Sequence, residues 1–231
     1  MIFNKTQYRY EQKFVFENKT TDFVEEIIKT HPARFKEVFQ QRQINNIYFD
    51  QSNLGFYSDH KNDIADRRKV RIRWYGDTYG KISHPVLEYK IRNADLGIKK
   101  SYPLPEFIVA KNFDFRSIKQ SLTKANLPLE ISTEMMMLEA QLINSYCRNY
   151  YKSADLSFRI TIDQKLTYYD GVKNLKLQEK DIDFNSLVME LKFGLDKSSD
   201  IINQQRQWPK KDPYFSKYVL GVERLNLLND K

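Results

Sequence analysis

The sequence predicts an α+β fold in which an antiparallel β-barrel carries flanking helices. Several segments alternate polar and apolar residues with a period of two, which is typical of strands with two different faces. Tyr and Phe number 15 each, whereas Gly and Pro number only 7 each, and this balance favours long, well-packed strands. Because no linker rich in Pro, Gly or Ser divides the chain, we expect residues 1–231 to form a single domain.

The alternating segments occur along most of the chain, and two of them predict a hairpin. SYCRNYY and FRITID are expected to pair across a turn around Ser153, Ala154 and Asp155. In chain order, the predicted strands are YRYEQKFVF (8–16), NNIYFD (45–50), KVRIRWYG (69–76), LEYKIR (87–92), SYCRNYY (145–151), FRITID (158–163) and LVMELKF (187–193).

Helices are fewer, and they lie near the ends and in the middle of the chain. TDFVEEIIKTHP predicts the first, with Asp22 as its cap, Glu25 three residues later in a capping box, and Pro32 as its stop. The other predicted helices are residues 114–126, residues 199–207 and YFSKYVLG, which Gly221 would close. A chain made mostly of strands with a few helices is typical of an antiparallel α+β protein or barrel.

The charge balance favours acidic partners, but it does not choose among nucleic acid, an anionic membrane and phosphorylated small molecules. Lys and Arg total 38 against 30 Asp and Glu, a formal net charge of +8, so acidic partners are attracted at long range. A single cysteine, Cys147, excludes an intramolecular disulfide and suits a reducing compartment. No window approaches the roughly 20 apolar residues of a membrane span, and residues 1–10 are too polar for a signal peptide, so a cytoplasmic location is expected.

The polar faces of the predicted strands are dominated by Arg, Lys and Glu. An ordinary solvated sheet face also alternates polar and apolar residues, but it usually mixes in Thr, Ser and Gln. Side chains two apart on a strand lie roughly 6 to 7 Å from each other on one face, so each Glu-x-Lys pair offers a carboxylate beside an ammonium. These pairs are Glu11/Lys13, Glu88/Lys90 and Glu190/Lys192.

If these strands close into a barrel with their charged faces inward, the interior becomes a water-filled tunnel. The apolar outward faces of the strands must then be covered by helices or by a second subunit. Unpaired buried cations are expensive and few glutamates are available there, so the positive excess argues for a bound polyanion. Guanidinium groups suit phosphate oxygens through bidentate hydrogen bonds. The lining cations would be Lys13, Lys69, Arg71, Arg73, Lys90, Arg92, Arg159 and Lys192.

The glutamates are candidate ligands for a divalent cation. Hard oxygen ligands suit Mg²⁺ or Mn²⁺, and such a cation commonly bridges phosphate oxygens and a carboxylate. The candidates are Glu190, Glu11 and Glu88. Their alternative role is that of salt-bridge partners that keep the basic lumen folded, and it applies to Glu88 more than to Glu190.

Other chemistry is poorly supported by the sequence. There is neither a P-loop nor a Gly-x-Gly-x-x-Gly motif, and His31, His60 and His84 lack metal-ligand spacing. Basic strands with aromatic residues can bind nucleic acid by base stacking, but here the aromatics alternate onto the opposite face from the cations. Asp50, at the end of NNIYFD, is interpreted as a turn or cap residue rather than a catalytic acid.

Taken in order, these motifs resemble the VTC-type polyphosphate polymerase domain, a branch of the triphosphate tunnel metalloenzyme (CYTH-like) superfamily. The resemblance spans about residue 8 to residue 225, from YRYEQKF through RRKVRIRWYG and LEYKIR to FSKYVLGVERL. It implies a triphosphate tunnel fold in which basic residues grip a triphosphate or polyphosphate chain and a glutamate holds the metal. The residues carried over are Lys13, Arg71, Arg73, Lys90, Arg159, Lys217 and, as the metal-holding glutamate, Glu190.

One position departs from the superfamily pattern. The superfamily opens with Glu-x-Glu-x-Lys, whereas this chain has Arg9-x-Glu11-x-Lys13. The missing carboxylate weakens the case for a two-metal hydrolase, and the additional arginine favours a phosphate-gripping, polymerase-like site.

The resemblance implies that the terminal phosphoryl group of ATP is transferred to a polyphosphate chain. In this hypothesis Arg71, Arg73 and Arg159 neutralise the transferred group and Glu190 holds Mn²⁺ or Mg²⁺. The phosphate-binding residues would be Lys13, Lys69, Lys90, Lys192, Lys217 and Arg9. The alternatives are a triphosphatase of the same fold, with water as acceptor, and a non-catalytic module that binds polyphosphate or inositol phosphates. ATP or triphosphate and polyphosphate are thus the expected ligands, nucleic acid is not expected, and the oligomeric state stays open.

Overall fold

The computed structural model describes residues 9–93, 96–112, 115–170, 177–183, 185–194, 208 and 211–228. The elements, in chain order, are β1 (Arg9–Glu17), α1 (Thr21–Lys29), β2 (Lys36–Asp50), α2 (Gly55–Lys61), β3 (Arg67–Tyr75), β4 (Gly80–Ile82), β5 (Val86–Asn93), β6 (Leu96–Pro103), β7 (Phe107–Val109), α3 (Phe115–Lys124), α4 (Leu129–Met137), β8 (Glu139–Lys152), β9 (Phe158–Asp170), β10 (Gln178–Asp183), β11 (Ser186–Gly194) and α5 (Lys217–Arg224). The helix predicted at 199–207 lies outside the described residues.

Most of the strands belong to one sheet, and the pairs whose register is described are antiparallel. Its order is β1-β11-β9-β8-β2-β3-β5-β6, with β10 also paired to β9, while β4 and β7 form a separate pair. The predicted hairpin is present, because β8 and β9 are neighbours and the chain turns between residues 152 and 158. The α+β class with an antiparallel sheet is therefore confirmed.

The chain divides into two compact units, each made of three segments. The first unit comprises Met1–Arg42, Tyr146–Leu166 and Asp183–Phe215. The second comprises Gln43–Ser145, Thr167–Ile182 and Ser216–Lys231. In the part of the chain that the structure describes, no helix has both the length and the apolar character that crossing a membrane requires.

Helix α1 covers the apolar face of the strands in the first unit. Val24 and Ile28 project from one side of the helix and are fully buried in an apolar cluster. The helix starts after Thr20, whose backbone is extended and whose hydroxyl accepts the N–H of Phe23, so the prediction that Asp22 is the cap is wrong. The strand residues in this cluster are Phe14, Phe16, Tyr151, Phe158, Ile160, Ile162, Leu187, Met189, Leu191 and Phe193.

Helices α3 and α4 cover the apolar face of the strands in the second unit. Ile118 from α3 and Ile131 and Met135 from α4 are buried against this face. The strand residues include Ile47, Val70, Ile72, Trp74, Leu87 and Tyr89. Helix α3 lies within the predicted range 114–126, whereas α2 and α4 were not predicted. The alternating apolar residues of the strands are thus covered by helices. The sequence analysis expected either helices or a second subunit in this place.

Close packing explains the glycine inside α5. The helix starts after Ser216, whose hydroxyl accepts the N–H of Val219, and it continues through Gly221 to Arg224. The prediction that Gly221 closes the helix is therefore wrong. A Cβ at Gly221 would lie 2.5 Å from Cε1 of Tyr168 and 2.9 Å from Cδ2 of Leu142, so only glycine fits this approach.

Gly221→Ala is expected to destabilise the protein by about 1 kcal/mol. The shift that the contact forces in a packed core costs roughly 1–3 kcal/mol, and the gain of alanine over glycine inside a helix offsets roughly 1 kcal/mol of it. Urea unfolding measures the difference, with Gly97→Ala as the matched control because a Cβ there meets nothing within 4 Å. Equal unfolding midpoints for Gly221→Ala and the wild type would contradict the close approach.

Candidate functional site

In the first unit, strand register brings five of the predicted site residues to one face of the sheet. Glu11 of β1 lies opposite Lys192 of β11, which lies opposite Arg159 of β9. One row further along, Lys13 lies opposite Glu190. Residues directly opposite each other on paired antiparallel strands share a face, so these five side chains form what we call the first-unit cluster.

Ion pairs link the members of the first-unit cluster. Lys192 Nζ lies 2.7 Å from Glu190 Oε2 and 3.9 Å from Glu11 Oε2, and Lys13 Nζ lies 3.8 Å from Glu11 Oε1. Lys13 also donates a hydrogen bond of 2.8 Å to the carbonyl of Phe215. Burial disfavours the charged form of Lys192, but Glu190 and then Glu11 outweigh this effect and raise its pKa. Lys192 is therefore a cation at neutral pH.

Arg159 is the most exposed member of the first-unit cluster. Arg159 is exposed, and no ion-pair partner for it is found among the described residues. An exposed guanidinium keeps its five N–H donors available to water or to a ligand. Arg9 begins β1 opposite Gly194.

A buried arginine that the sequence analysis did not single out supports Glu190. Arg148 of β8 donates through Nε to Asp163 Oδ1 at 2.5 Å and through Nη2 to Asp163 Oδ2 at 2.6 Å. Its Nη2 also lies 3.7 Å from Glu190 Oε2. Asp163 is 1% exposed, so this is a buried charge pair rather than a surface salt bridge. The sequence indicated part of this arrangement, because Arg148 and Asp163 lie in the two strands of the predicted hairpin.

In the second unit, strands β3, β5 and β6 carry a second charged cluster. Arg71 lies opposite Glu88, and in the next row Lys90 lies opposite Lys69 on one side and Lys99 on the other. Arg73 lies two residues beyond Arg71 on the same face of β3. The second-unit cluster comprises Lys69, Arg71, Arg73, Glu88, Lys90 and Lys99.

Glu88 is the shared partner of three of these cations. Arg71 donates to Glu88 Oε2 through Nε at 2.9 Å and Nη2 at 2.8 Å, Arg73 Nη2 donates to Oε1, and Lys99 Nζ lies 2.6 Å from Oε1. Glu88 is only 3% exposed. Burial raises its pKa, but Arg71, Arg73 and Lys99 more than compensate and lower it from 4.5 to about 2. This arrangement favours the salt-bridge role of Glu88 over a metal-binding one.

Helix α5 packs on the same side of the second unit as Arg71. Tyr48 lies opposite Arg71 in the β2–β3 register, and its ring stacks on Tyr218 with centroids 5.2 Å apart. The Tyr218 hydroxyl donates to Asp50 Oδ2 at 2.5 Å. Asp50 also accepts the backbone N–H groups at the start of α2, a cap role that agrees with its interpretation from the sequence. Lys217 is buried in the first turn of α5.

The donors near Glu190 fit a divalent cation that is shared with a bound phosphate. Among the described residues, no group of three or more His, Cys, Asp or Glu side chains is arranged to hold a metal by itself. However, Thr161 lies opposite Glu190, and its buried hydroxyl has no hydrogen-bond partner in the described part of the chain. Mg²⁺ is commonly bound by one or two carboxylates together with phosphate oxygens and water. Glu190, Glu11 and Thr161 offer such hard oxygen donors.

The structure thus brings the predicted residues together within each unit. Glu11, Lys13, Arg159, Glu190 and Lys192 meet in the first unit, and Lys69, Arg71, Arg73, Glu88 and Lys90 meet in the second. That all of them line one tunnel stays a prediction. Arg148, Thr161 and Lys99 are the polar residues in these clusters that were not predicted to act there.

Comparison with known proteins agrees with this architecture. A family model described as VTC domain matches residues 8–226. A protein of Vibrio parahaemolyticus described as a candidate adenylate cyclase is 12% identical with a TM-score of 0.52, over 94% of this chain and 99% of that chain. A protein of Pyrococcus horikoshii (10% identity, TM-score 0.51) and a conserved hypothetical protein of Pyrococcus furiosus (10%, 0.50) each cover 91% of this chain and 99% of their own. At such identities the likeness shows the fold alone. No curated protein matches the sequence.

Proposed function

We propose that this chain, which belongs to the VTC domain family of triphosphate tunnel proteins, transfers the terminal phosphoryl group of ATP to a polyphosphate chain. The observation that carries the proposal is the gathering of cations, in register, on one face of each unit. Guanidinium and ammonium groups held at fixed positions suit a ligand with regularly repeated negative charges. A polyphosphate chain is such a ligand.

The reaction needs positioning and charge neutralisation rather than a protein nucleophile. An oxygen at the end of the polyphosphate chain attacks the terminal phosphorus of ATP, the bond to the bridging oxygen breaks, and ADP leaves. The transition state spreads negative charge over the phosphoryl oxygens, so fixed cations lower its energy more than that of the ground state. Arg71, Arg73 and Arg159 would supply this neutralisation.

Glu88 would hold Arg71 and Arg73 side by side for this task. Each guanidinium has five N–H donors, and the bonds to Glu88 use two of those on Arg71 and one on Arg73. Arg71 also donates through Nη1 to the Tyr48 hydroxyl at 3.5 Å, and phosphate oxygens would accept from the same two guanidinium groups. The lysines Lys13, Lys69, Lys90, Lys192 and Lys217, with Arg9, would align the neighbouring phosphates of the chain.

Glu190 and Glu11, with the Thr161 hydroxyl, would hold Mn²⁺ or Mg²⁺. Such a cation supplies additional positive charge to the phosphate oxygens when it is bound. Lys192, whose pKa is raised by Glu190 and Glu11, pairs with both carboxylates and keeps them adjacent. Arg148, fixed by Asp163, lies 3.7 Å from the same Glu190 oxygen that Lys192 contacts and would limit its movement.

Product analysis tests the proposal. Purified protein incubated with ATP and Mn²⁺ or Mg²⁺ is expected to form acid-stable polyphosphate and to release one ADP for each phosphate added to the chain. Glu190→Ala is expected to lower the rate by about 100-fold or more, since one preorganised electrostatic group is commonly worth that much. Glu37→Ala, on an exposed part of β2, is the control and should keep full activity.

Three outcomes would contradict polymerase activity. Inorganic phosphate instead of polymer would identify a triphosphatase. Tight binding of polyphosphate or inositol phosphates without metal dependence or turnover would identify a binding module. The absence of acid-stable polymer, with nucleotide turnover unchanged in Glu190→Ala, would remove the metal-assisted mechanism altogether.

A further inference from the structure

An exposed phenylalanine, an arginine and a tyrosine meet in the first unit, on strands β2 and β8. The guanidinium carbon of Arg42 lies 5.0 Å from the ring centroid of Phe39 and 5.7 Å from that of Tyr150. The two ring centroids are 5.7 Å apart, and the rings are nearly perpendicular, at 86°. Phe39 is nevertheless 49% exposed. We call these three residues the aromatic platform.

Strand register puts Tyr150 in the row of Thr161 and Glu190. The N–H of Ser153 donates to the carbonyl of Phe158 at 3.1 Å, so these two residues lie opposite each other in the β8–β9 hairpin. Counting three residues along each strand from this pair places Tyr150 opposite Thr161. Thr161 in turn lies opposite Glu190. The platform therefore begins two strands away from the candidate metal ligand.

Tyr150 lies on the charged face of β8. Arg148 is two residues earlier on the same strand, and side chains at alternate positions point to the same side. Arg148 bonds Asp163, which is two residues beyond Thr161 on β9, so the same register accounts for this buried pair. The sequence analysis expected the aromatic residues on the face opposite the cations. Here a ring and cations share one face, which is the combination that stacks a base.

The distance from the platform to Glu190 is within the reach of a nucleotide. Neighbouring strands lie roughly 4.8 Å apart, so the backbone at Tyr150 is roughly 10 Å from that at Glu190. A ribose and its α-phosphate can span such a distance between a base and the outer phosphates. A lone exposed phenylalanine is ordinary on a protein surface, but Phe39 packs on a cation and a second ring beside the first-unit cluster.

We propose that the aromatic platform stacks the purine base of ATP while the first-unit cluster holds its phosphates. The inference rests on the proposed function, since it assumes that ATP is bound at this cluster. Stacking on aromatic rings tolerates different bases because every base has a π-face, and the guanidinium of Arg42 adds a cation to the stack. Purines have the larger face, so the platform favours ATP and GTP over UTP. It thereby also distinguishes a nucleoside triphosphate from inorganic triphosphate.

Titration calorimetry with the full chain and Mg²⁺ tests this inference. The probes are the β,γ-imido analogues of ATP, GTP and UTP, which do not transfer the terminal phosphoryl group, and tripolyphosphate, which has no base. Phe39→Ala is expected to weaken binding of the ATP and GTP analogues by about tenfold, as the loss of one base–aromatic stack predicts. Binding of tripolyphosphate should not change. Phe39→Trp, which keeps an aromatic face, is expected to retain the affinity for the ATP analogue.

A second exposed phenylalanine of the same unit is the matched control. Phe23 of α1 is 46% exposed and Lys19 Nζ lies 5.0 Å from its ring centroid, so it resembles Phe39 in exposure and in its cation contact. It belongs to the helix that covers the apolar face of the strands, on the opposite side from the charged face. Phe23→Ala is therefore expected to leave the affinity for all four probes unchanged. Thermal unfolding without ligand checks that the variants are folded, and Phe39→Leu, which keeps apolar bulk without a ring, replaces Phe39→Ala if that variant is not.

The outcomes separate this inference from the proposed function. Wild-type protein that binds neither tripolyphosphate nor any nucleotide analogue contradicts both. Wild-type binding with unchanged affinity for the ATP analogue in Phe39→Ala, or with equal losses in Phe39→Ala and Phe23→Ala, overturns the base site alone. Equal losses for tripolyphosphate and the ATP analogue also overturn it, because Phe39 would then support the phosphate site rather than a base. Equal affinities for the UTP and ATP analogues overturn the preference for purines.

Discussion

Glu88→Gln is expected to lower the free energy of unfolding by about 3 kcal/mol at pH 6. The carboxylate is almost fully buried beneath Arg71, Arg73 and Lys99, and its pKa is lowered from 4.5 to about 2. A pKa difference of this size between the folded and unfolded states corresponds to about 3 kcal/mol. Glutamine preserves the shape but leaves three cations without their counterion.

The pH dependence of this difference is a sharper test than its size. The folded pKa of Glu88 lies below the unfolded one, so its stabilisation is complete above the unfolded value of about 4.5 and is lost as the pH falls towards 2. The difference between wild type and Glu88→Gln should therefore shrink over this range. Urea unfolding at several pH values between 6 and 2 measures it.

A surface glutamate of the same unit provides the control. Glu106 pairs with Lys81 at 2.9 Å, but both side chains are more than half exposed. Such pairs contribute about 1 kcal/mol at most, so Glu106→Gln should change stability little at any pH. A difference for Glu88→Gln that is small at pH 6, or that does not shrink with falling pH, would contradict the role of Glu88 as a buried counterion.

Asp163→Asn is the second substitution with a large expected effect. It removes the charge that is bonded by two hydrogen bonds to the buried Arg148 guanidinium. Breaking a buried pair by removing one partner commonly costs about 3–5 kcal/mol, because the remaining charge is left uncompensated. Glu190, 3.7 Å from Arg148, offers only partial compensation.

A double variant distinguishes folding from function. Replacing a buried ion pair with apolar residues of similar volume is often neutral or stabilising, so Arg148→Met with Asp163→Leu should recover most of the stability lost in Asp163→Asn. Glu190 would then lose its contact with Arg148, and the rate of polymer formation should stay well below that of the wild type. Denaturant unfolding and the polymer assay, made on the same preparations, provide both quantities.

Two results for the double variant would contradict these expectations. Full polymer formation by the stable double variant would show that Arg148 serves folding only and does not support Glu190. If the double variant does not regain stability, Arg148 and Asp163 contribute more to the free energy of unfolding than the neutralisation of each other's buried charge.

Local sequence was sufficient for the faces of the strands. Alternation in KVRIRWYG puts Arg71 and Arg73 on one face and Ile72 and Trp74 on the other, because successive side chains of a strand point to opposite sides. The structure buries Ile72 and Trp74 and leaves the arginines with their carboxylate. The repeated Glu-x-Lys pattern likewise identified residues that do lie side by side, as Glu190 and Lys192 do.

Some local features were decided by context instead. The cap of α1 is Thr20 rather than Asp22, since the extended backbone that a cap needs occurs two residues earlier. Gly221 lies inside α5 because Tyr168 and Leu142 approach the helix closely, and no pattern along the chain reveals that approach.

The sequence by itself determined the fold class, the strand faces and most of the charged residues, because alternation and side-chain type act within a few residues. Only the tertiary structure decided which charges meet. Glu88 forms an ion pair with Lys99 because β6 pairs with β5. Arg148 lies near Glu190 because the sheet places β9 between β8 and β11. Strand order and register depend on contacts between segments far apart in the chain, and the free energy of those contacts is set by packing of the whole sheet.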